Sequence, residues 1–174
     1  MRNRKIKRLT FTSLMTAAAV VLSFAEGLFP ASSFLPPGSR LGLSNIPVMF
    51  AASTLSIGET MLIVVAKAFF VLITRGFTAF LMSLCGGIFS ALCMLLIFRR
   101  FKSIGCVGTG VLSALCHNAG QLLVSFVIID SAAVFGYAPV MIIAAAVTGV
   151  LTGSVLRAAM PYFYKMNFVK EMEK

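Results

Sequence analysis

Acidic side chains are scarce in this chain. Five Asp and Glu stand against fifteen Lys and Arg in 174 residues, with a single His. Of the acids, only Glu26, Glu59 and Asp130 fall outside the C-terminal tail, and no two of them are neighbours in sequence. That excludes an aspartate-rich motif of the kind that holds magnesium for prenyl transfer. No glycine-rich loop ending in lysine is present to cradle a phosphate, and no nucleophile–His–acid set is evident. The four cysteines, Cys85, Cys93, Cys106 and Cys116, form no CxxC, so neither a metal site nor a disulfide is supported. With one His and no clustered thiolates or carboxylates, no metal ligand set is assigned. The chain is accordingly read as a non-enzyme with no catalytic residues.

Charge of either sign makes up only 11% of the sequence, whereas 59% is hydrophobic and the mean hydropathy is +0.99. A soluble domain of this size has too much surface to hide so many apolar side chains, so lipid is the expected solvent. Backbone in lipid must satisfy its own hydrogen bonds, and no barrel-like alternation occurs, which leaves an all-α integral membrane protein. Uncharged runs between charged residues predict a compact bundle of six transmembrane helices, at about 9–29, 44–57, 59–74, 77–98, 104–128 and 137–160. Pro47 falls in the first turn of the second, where its missing N–H costs little. The last helix is expected to stop at Pro161. The first apolar run follows basic residues as a signal peptide does. It is kept as a helix because "FAEGLFPASSF" makes a poor cleavage site.

The net charge of +10 raises the question of nucleic acid, but its placement answers otherwise. Basic clusters lie in "RNRKIKR", in "RRFK" at 99–102, and after the last span at Lys165, Lys170 and Lys174. With six spans all three fall on one side, which the positive-inside rule makes cytoplasmic, placing both termini and the tails 1–8 and 161–174 there. Their expected partner is anionic membrane lipid, not nucleic acid. The expected location is the bacterial plasma membrane.

Ionisable groups inside a bilayer are expensive and mark cavities or partners. Lys67 interrupts an apolar helix near its middle, and either faces a functional cavity or forms a structural ion pair with Glu26 or Glu59. In "SALCHNAGQLLVS", Ser113, His117, Gln121 and Ser125 recur every four residues and form one polar stripe, which Asn118 widens. Arg40 and Arg75 are basic residues on the outer side. Either they bind lipid headgroups, or they form the mouth of a positive pocket above Lys67 and His117 that suits phosphate or carboxylate. "PPGSRLGLSN" is built to hold a shape, through Pro36, Pro37 and Gly38, with Ser44 or Asn45 placed to cap the second helix. Ala145, Gly149 and Gly153 make a small-residue seam on helix six, for packing inside the bundle or for docking a second subunit. Ser13 and Ala17 give helix one a similar face.

"FAEGLFP", "PPGSRLGLSNIPVMF" and "CHNAGQLLV", followed by the small-residue helix six, make the chain similar to the Gx transporter family, whose members are often labelled heptaprenyl diphosphate synthase component I. That family resembles the substrate-binding S-components of energy-coupling-factor (ECF) transporters. The resemblance implies a six-helix subunit that captures a small anionic or amphipathic solute from the outside. It places Arg40 and Asn45 at a lid and pocket rim, with Lys67, His117, Asn118 and Gln121 lining the pocket below. It places Ser13 and Ala17 on a face for a transmembrane coupling subunit and its ATPases. The alternative it implies is a membrane scaffold for extracellular electron transfer. No cofactor is bound covalently on that reading, and the pocket holds a quinone or a flavin-bearing partner. A third is an accessory factor in isoprenoid synthesis.

Overall fold

The computed structural model describes residues 2–28, 42–101 and 103–165. Among these residues the chain is all helical, with six α-helices and no strand. α1 covers Arg2–Leu28, α2 Asn45–Thr54, α3 Ile57–Arg75, α4 Phe77–Arg100, α5 Cys106–Ile129 and α6 Ala138–Lys165. A short 3-10 helix, Ala132–Tyr137, occupies the connection between α5 and α6.

Five helices are long and apolar enough to cross a membrane, and α2 is the exception. This corrects the expectation of six spans. Ten residues at 1.5 Å each reach roughly 15 Å, half of a hydrocarbon core. The helix is short because the next one starts early. Leu55 turns extended, and Glu59 reaches back to accept from the Ser56 backbone N–H at 2.9 Å, forming the capping box that opens α3. Two other boundaries also differ from expectation. α1 begins seven residues sooner, because the basic stretch "RNRKIKR" is helical rather than a tail. α6 runs through Pro161 to Lys165, where so few turns remain that one lost hydrogen bond is tolerated. Gly76, at φ 86°, makes the tight turn between α3 and α4 that a side-chain-bearing residue would resist.

Contacts between helices fix their directions. Arg8 near the start of α1 holds Glu59 at the start of α3 with two hydrogen bonds, of 2.9 and 2.6 Å. Ser53 at the end of α2 donates to Met160 near the end of α6. Gly153 of α6 approaches Cys106 at the start of α5 so closely that an added Cβ would sit 2.6 Å from its carbonyl oxygen. The starts of α1, α3 and α5 and the ends of α2 and α6 therefore share one end of the bundle. Arg99 and Arg100, closing α4 just before α5, lie there too.

α2 is buried on nearly every side, from Asn45 to Ala52. It fills the basic half of the bundle, packing Val48, Met49 and Leu55 against Phe11, Ile63, Met94 and Leu156. Beyond its N-terminus the interior is polar. Outward-facing side chains are apolar, as a lipid-facing surface requires: Val21, Ile73, Val127 and Ile143 are all more than 60% exposed.

The small residues of α6 face inward. Cβ atoms built on Gly149 and Gly110 would lie 2.4 Å from the Val111 Cα and 2.2 Å from the Gly149 carbonyl. The Ala145–Gly149–Gly153 seam is thus occupied by α5 of the same chain, which favours packing inside the bundle over docking of a second subunit. Ser13 and Ala17 lie exposed on the outer surface of α1.

Candidate functional site

The polar interior begins with α3. Lys67 is roughly midway along this helix, and Val71 and Arg75 follow at intervals of four, so the three share one face. Lys67 is 1% exposed and among the largest wholly buried side chains of the protein. Its ammonium donates to Asn45 Oδ1 at 2.6 Å and to Ser44 Oγ at 3.4 Å. The first is a short charge-assisted bond. The Ser44 hydroxyl in turn donates to Glu26 Oε2 at 3.2 Å, and the Ser44 backbone N–H donates to Glu26 Oε1 at 3.1 Å. A directed chain therefore runs from the α3 ammonium through Ser44 to a buried carboxylate on α1. Ser44 and Asn45, expected as caps of α2, use their side chains here instead, and no side-chain bond caps that helix.

Residues 42–45 form the turn that carries these groups. Asn45 N–H closes on the Gly42 carbonyl at 2.9 Å, and Gly42 has φ 87°. Gly42 also lies against the His117 ring, where a Cβ would meet the ring atoms at 3.5 and 3.7 Å. A Cβ there would crowd Asn45 Nδ2 at 3.2 Å, and the residue would have to adopt a disfavoured backbone.

From α5, His117 and Gln121 point into the same space. The Gln121 amide Nε2 lies 2.8 Å from His117 Nε2 and donates to it, which leaves the ring proton on Nδ1, beside the backbone of Gly86 on α4. Gly86 and Gly120 permit this approach, since a Cβ on Gly120 would stand 2.9 Å from the Gly86 Cα. Arg75 closes the far side. Its guanidinium donates to the Ser23 carbonyl of α1 and lies over Gly27, where a Cβ would come within 2.9 Å of Nη2.

Ser23, Glu26, Gly42, Ser44, Lys67, Arg75, Ser83, His117 and Gln121 thus line one chamber. Its free volume is about 20 Å³, room for a single water molecule. The lining carries two basic side chains and one carboxylate.

Five of the expected pocket residues meet here: Lys67, Arg75, His117 and Gln121 line the chamber, and Asn45 holds Lys67. Asn118 does not. It points to α6, donates to the Met141 carbonyl at 2.7 Å, and borders a separate, mostly apolar groove of about 290 Å³ with Leu115, Leu122 and Met141. One residue along a helix is a rotation of about 100°, enough to leave the His117 face. Ser113 and Ser125, at the ends of the predicted stripe, return their hydroxyls to the α5 carbonyls of Gly110 and Gln121. Arg40 lies outside the described residues. Lys67 touches neither carboxylate suggested for it directly. Glu59 is held by Arg8 and Ser56, and Glu26 is reached only through Ser44. Ser23 and Ser83 were missed by sequence reasoning, and Glu26 and Ser44 were singled out only as an ion-pair partner and a helix cap. For Glu26 the signal was available, as an acid within the apolar "FAEGLFP". Among the described residues no three His, Cys, Asp or Glu side chains gather as a metal cage.

The sequence model of the family described as heptaprenyl diphosphate synthase component I matches residues 15–159, from α1 through nearly all of α6. The chain belongs to that family. The match includes every residue of the chamber, so the site is built within the family's own span. No curated protein and no solved structure matches the chain.

Proposed function

We propose that this member of the family is the membrane-embedded substrate-binding subunit of a transporter, similar to an ECF S-component, and that the chamber is where a small anionic or amphipathic solute is captured. The observation that carries this reading is Lys67. A lysine fully buried midway along a membrane-spanning helix, bonded to an amide and a hydroxyl rather than directly to a carboxylate, is poorly accounted for as a structural ion pair. Arg75 adds a second cation on the same face, and the pair suits a carboxylate or phosphate. The basic end of the bundle is assigned to the cytoplasm of a bacterial plasma membrane by the positive-inside rule, so the chamber faces the outer half. Exposed Ser13 and Ala17 on α1 offer a face for a coupling subunit, which with its ATPases would supply the energy. Catalysis by the chain itself is no part of this reading, because Glu26 and Glu59 are both engaged in holding other residues.

The α5–α6 groove favours a second reading, a membrane scaffold for quinone-linked electron transfer, since a mostly apolar trough with Asn118 in its lining suits an isoprenoid tail beside a polar ring. Mass spectrometry of the protein released gently from its native membrane separates the two. A polar anionic solute that is lost in Lys67→Met supports transport, and menaquinone retained in that variant supports the scaffold. Recovery of ordinary phospholipid alone from both proteins refutes the two together.

A further inference from the structure

The chamber is too small for the solute it is proposed to bind, and the way it is closed indicates how it opens. Room for one water cannot take even a phosphate ion, so some wall must move. The α3–α4–α5 side is rigid. A Cβ on Gly86 would stand 2.9 Å from the His117 carbonyl, and one on Gly87 would stand 2.8 Å from Val64, so these helices are already at closest approach. Among the described residues the other walls are α1, which Arg75 ties to α3 through the Ser23 carbonyl, and the turn 42–45, which Glu26 fastens through both Ser44 donors.

Glu26 is 7% exposed and is the chamber's one carboxylate among the described residues. It stands at the end of the chain of donors that begins at Lys67. A backbone N–H at the start of a helix, a hydroxyl and a nearby ammonium are the groups an incoming anion would use. Glu26 already occupies the first two.

We propose that Glu26 is the resident anion of the site, an internal carboxylate that a free inorganic or organic anion displaces from Ser44. In the closed state it latches the turn over the chamber. On binding, solute takes over the Ser44 and Lys67 donors, Glu26 swings away, and the turn lifts. The inference rests on the reading of the chamber as an anion site. It adds that affinity is set by competition between two anions, and so is weaker than the basic lining alone would give.

Inorganic phosphate is the probe, with the full chain purified in an uncharged maltoside detergent. Binding is read as the phosphate-dependent rise in unfolding temperature, for wild type, Glu26→Gln and Lys67→Met. Gln can still accept from Ser44 while lacking the charge, so Glu26→Gln is expected to bind phosphate at least tenfold tighter than wild type, and Lys67→Met is expected to lose it. Hydrogen exchange on the unmutated protein gives a second measurement, with amides 42–46 expected to exchange faster when phosphate is added. Equal affinity in wild type and Glu26→Gln, or weaker binding in the variant, overturns the role of Glu26 while leaving the anion site standing. Unchanged or slower exchange at 42–46 in a protein that binds phosphate does the same. If wild type and Glu26→Gln both respond to phosphate no more than Lys67→Met, the anion site and the latch fall together.

Discussion

Gly110→Ala tests the packing that holds α5, one wall of the chamber, against α6. The substitution adds one methyl group and leaves every polar contact untouched. Its Cβ would lie 2.2 Å from the Gly149 carbonyl oxygen, and within 3.0 Å of the Gly153 N and Cα. Ordinary contact begins near 3.4 Å, so the helices must part by 3.4 − 2.2 = 1.2 Å at this point, and all the blocking atoms are backbone that cannot rotate aside. A gap of that size forfeits roughly half of the dispersion energy across the seam. Overpacking of this kind costs about 1–3 kcal/mol. At about 2–4 °C per kcal/mol for a chain of this size, the unfolding temperature should fall by roughly 2–12 °C. The chain has no tryptophan, but its four cysteines are free and partly buried in α4 and α5. A thiol-reactive fluorogenic dye therefore reports unfolding. Gly136→Ala, where a Cβ meets nothing within 4 Å, is the control and should melt with wild type. If Gly110→Ala also melts within about 1 °C of wild type, the seam is looser than described and the internal assignment of the small residues is wrong.

Other outcomes follow from the same contacts. Lys67→Met removes a buried charge but strands the Asn45 carbonyl; these effects offset, and stability should change by less than about 2 kcal/mol, whereas a loss of 3–5 kcal/mol would mark Lys67 as half of a structural pair. Glu59→Ala removes both the α3 cap and the partner of Arg8, and should lower stability by about 1–2 kcal/mol. In a double-mutant cycle, Arg8→Met with Glu59→Gln should show coupling of about 0.5–1 kcal/mol that shrinks in high salt, since both side chains are partly solvated. Asn118→Leu leaves the chamber intact and breaks the bond to Met141, so phosphate binding should persist while the melting temperature drops; lost binding with an unchanged melt would return Asn118 to the site.

The fold was legible wherever charge punctuates the sequence. Apolar runs bounded by charged residues of either sign located α1, α3, α4, α5 and α6, because lipid tolerates few other arrangements. The length of α2 was not, since residues 41–58 read as one uncharged run and the break at Leu55 carries no charge. The Ser56-x-x-Glu59 capping box was the available signal, and it marks the start of a new helix rather than a turn inside a longer hairpin. At the site, Lys67 stood out because a lone cation in an apolar helix has few explanations. Glu26 did not, since an acid at the edge of a span also reads as the boundary of that span. Which of His117 and Asn118 faces inward is a matter of one residue's rotation, decided by where Gly86 and Met141 lie on other helices.

The half-length of α2 has an electrical consequence. Because that helix starts near the middle of the bundle, Lys67 lies near mid-depth, about halfway along the membrane-spanning length of α3. On the proposed reading, a monovalent anion reaching it from outside would cross about half of the transmembrane voltage, which amounts to roughly 1 kcal/mol per 100 mV. An inside-negative potential opposes that movement. In sealed vesicles, occupancy of the chamber should therefore rise when the membrane is depolarised, with no change in concentration on either side.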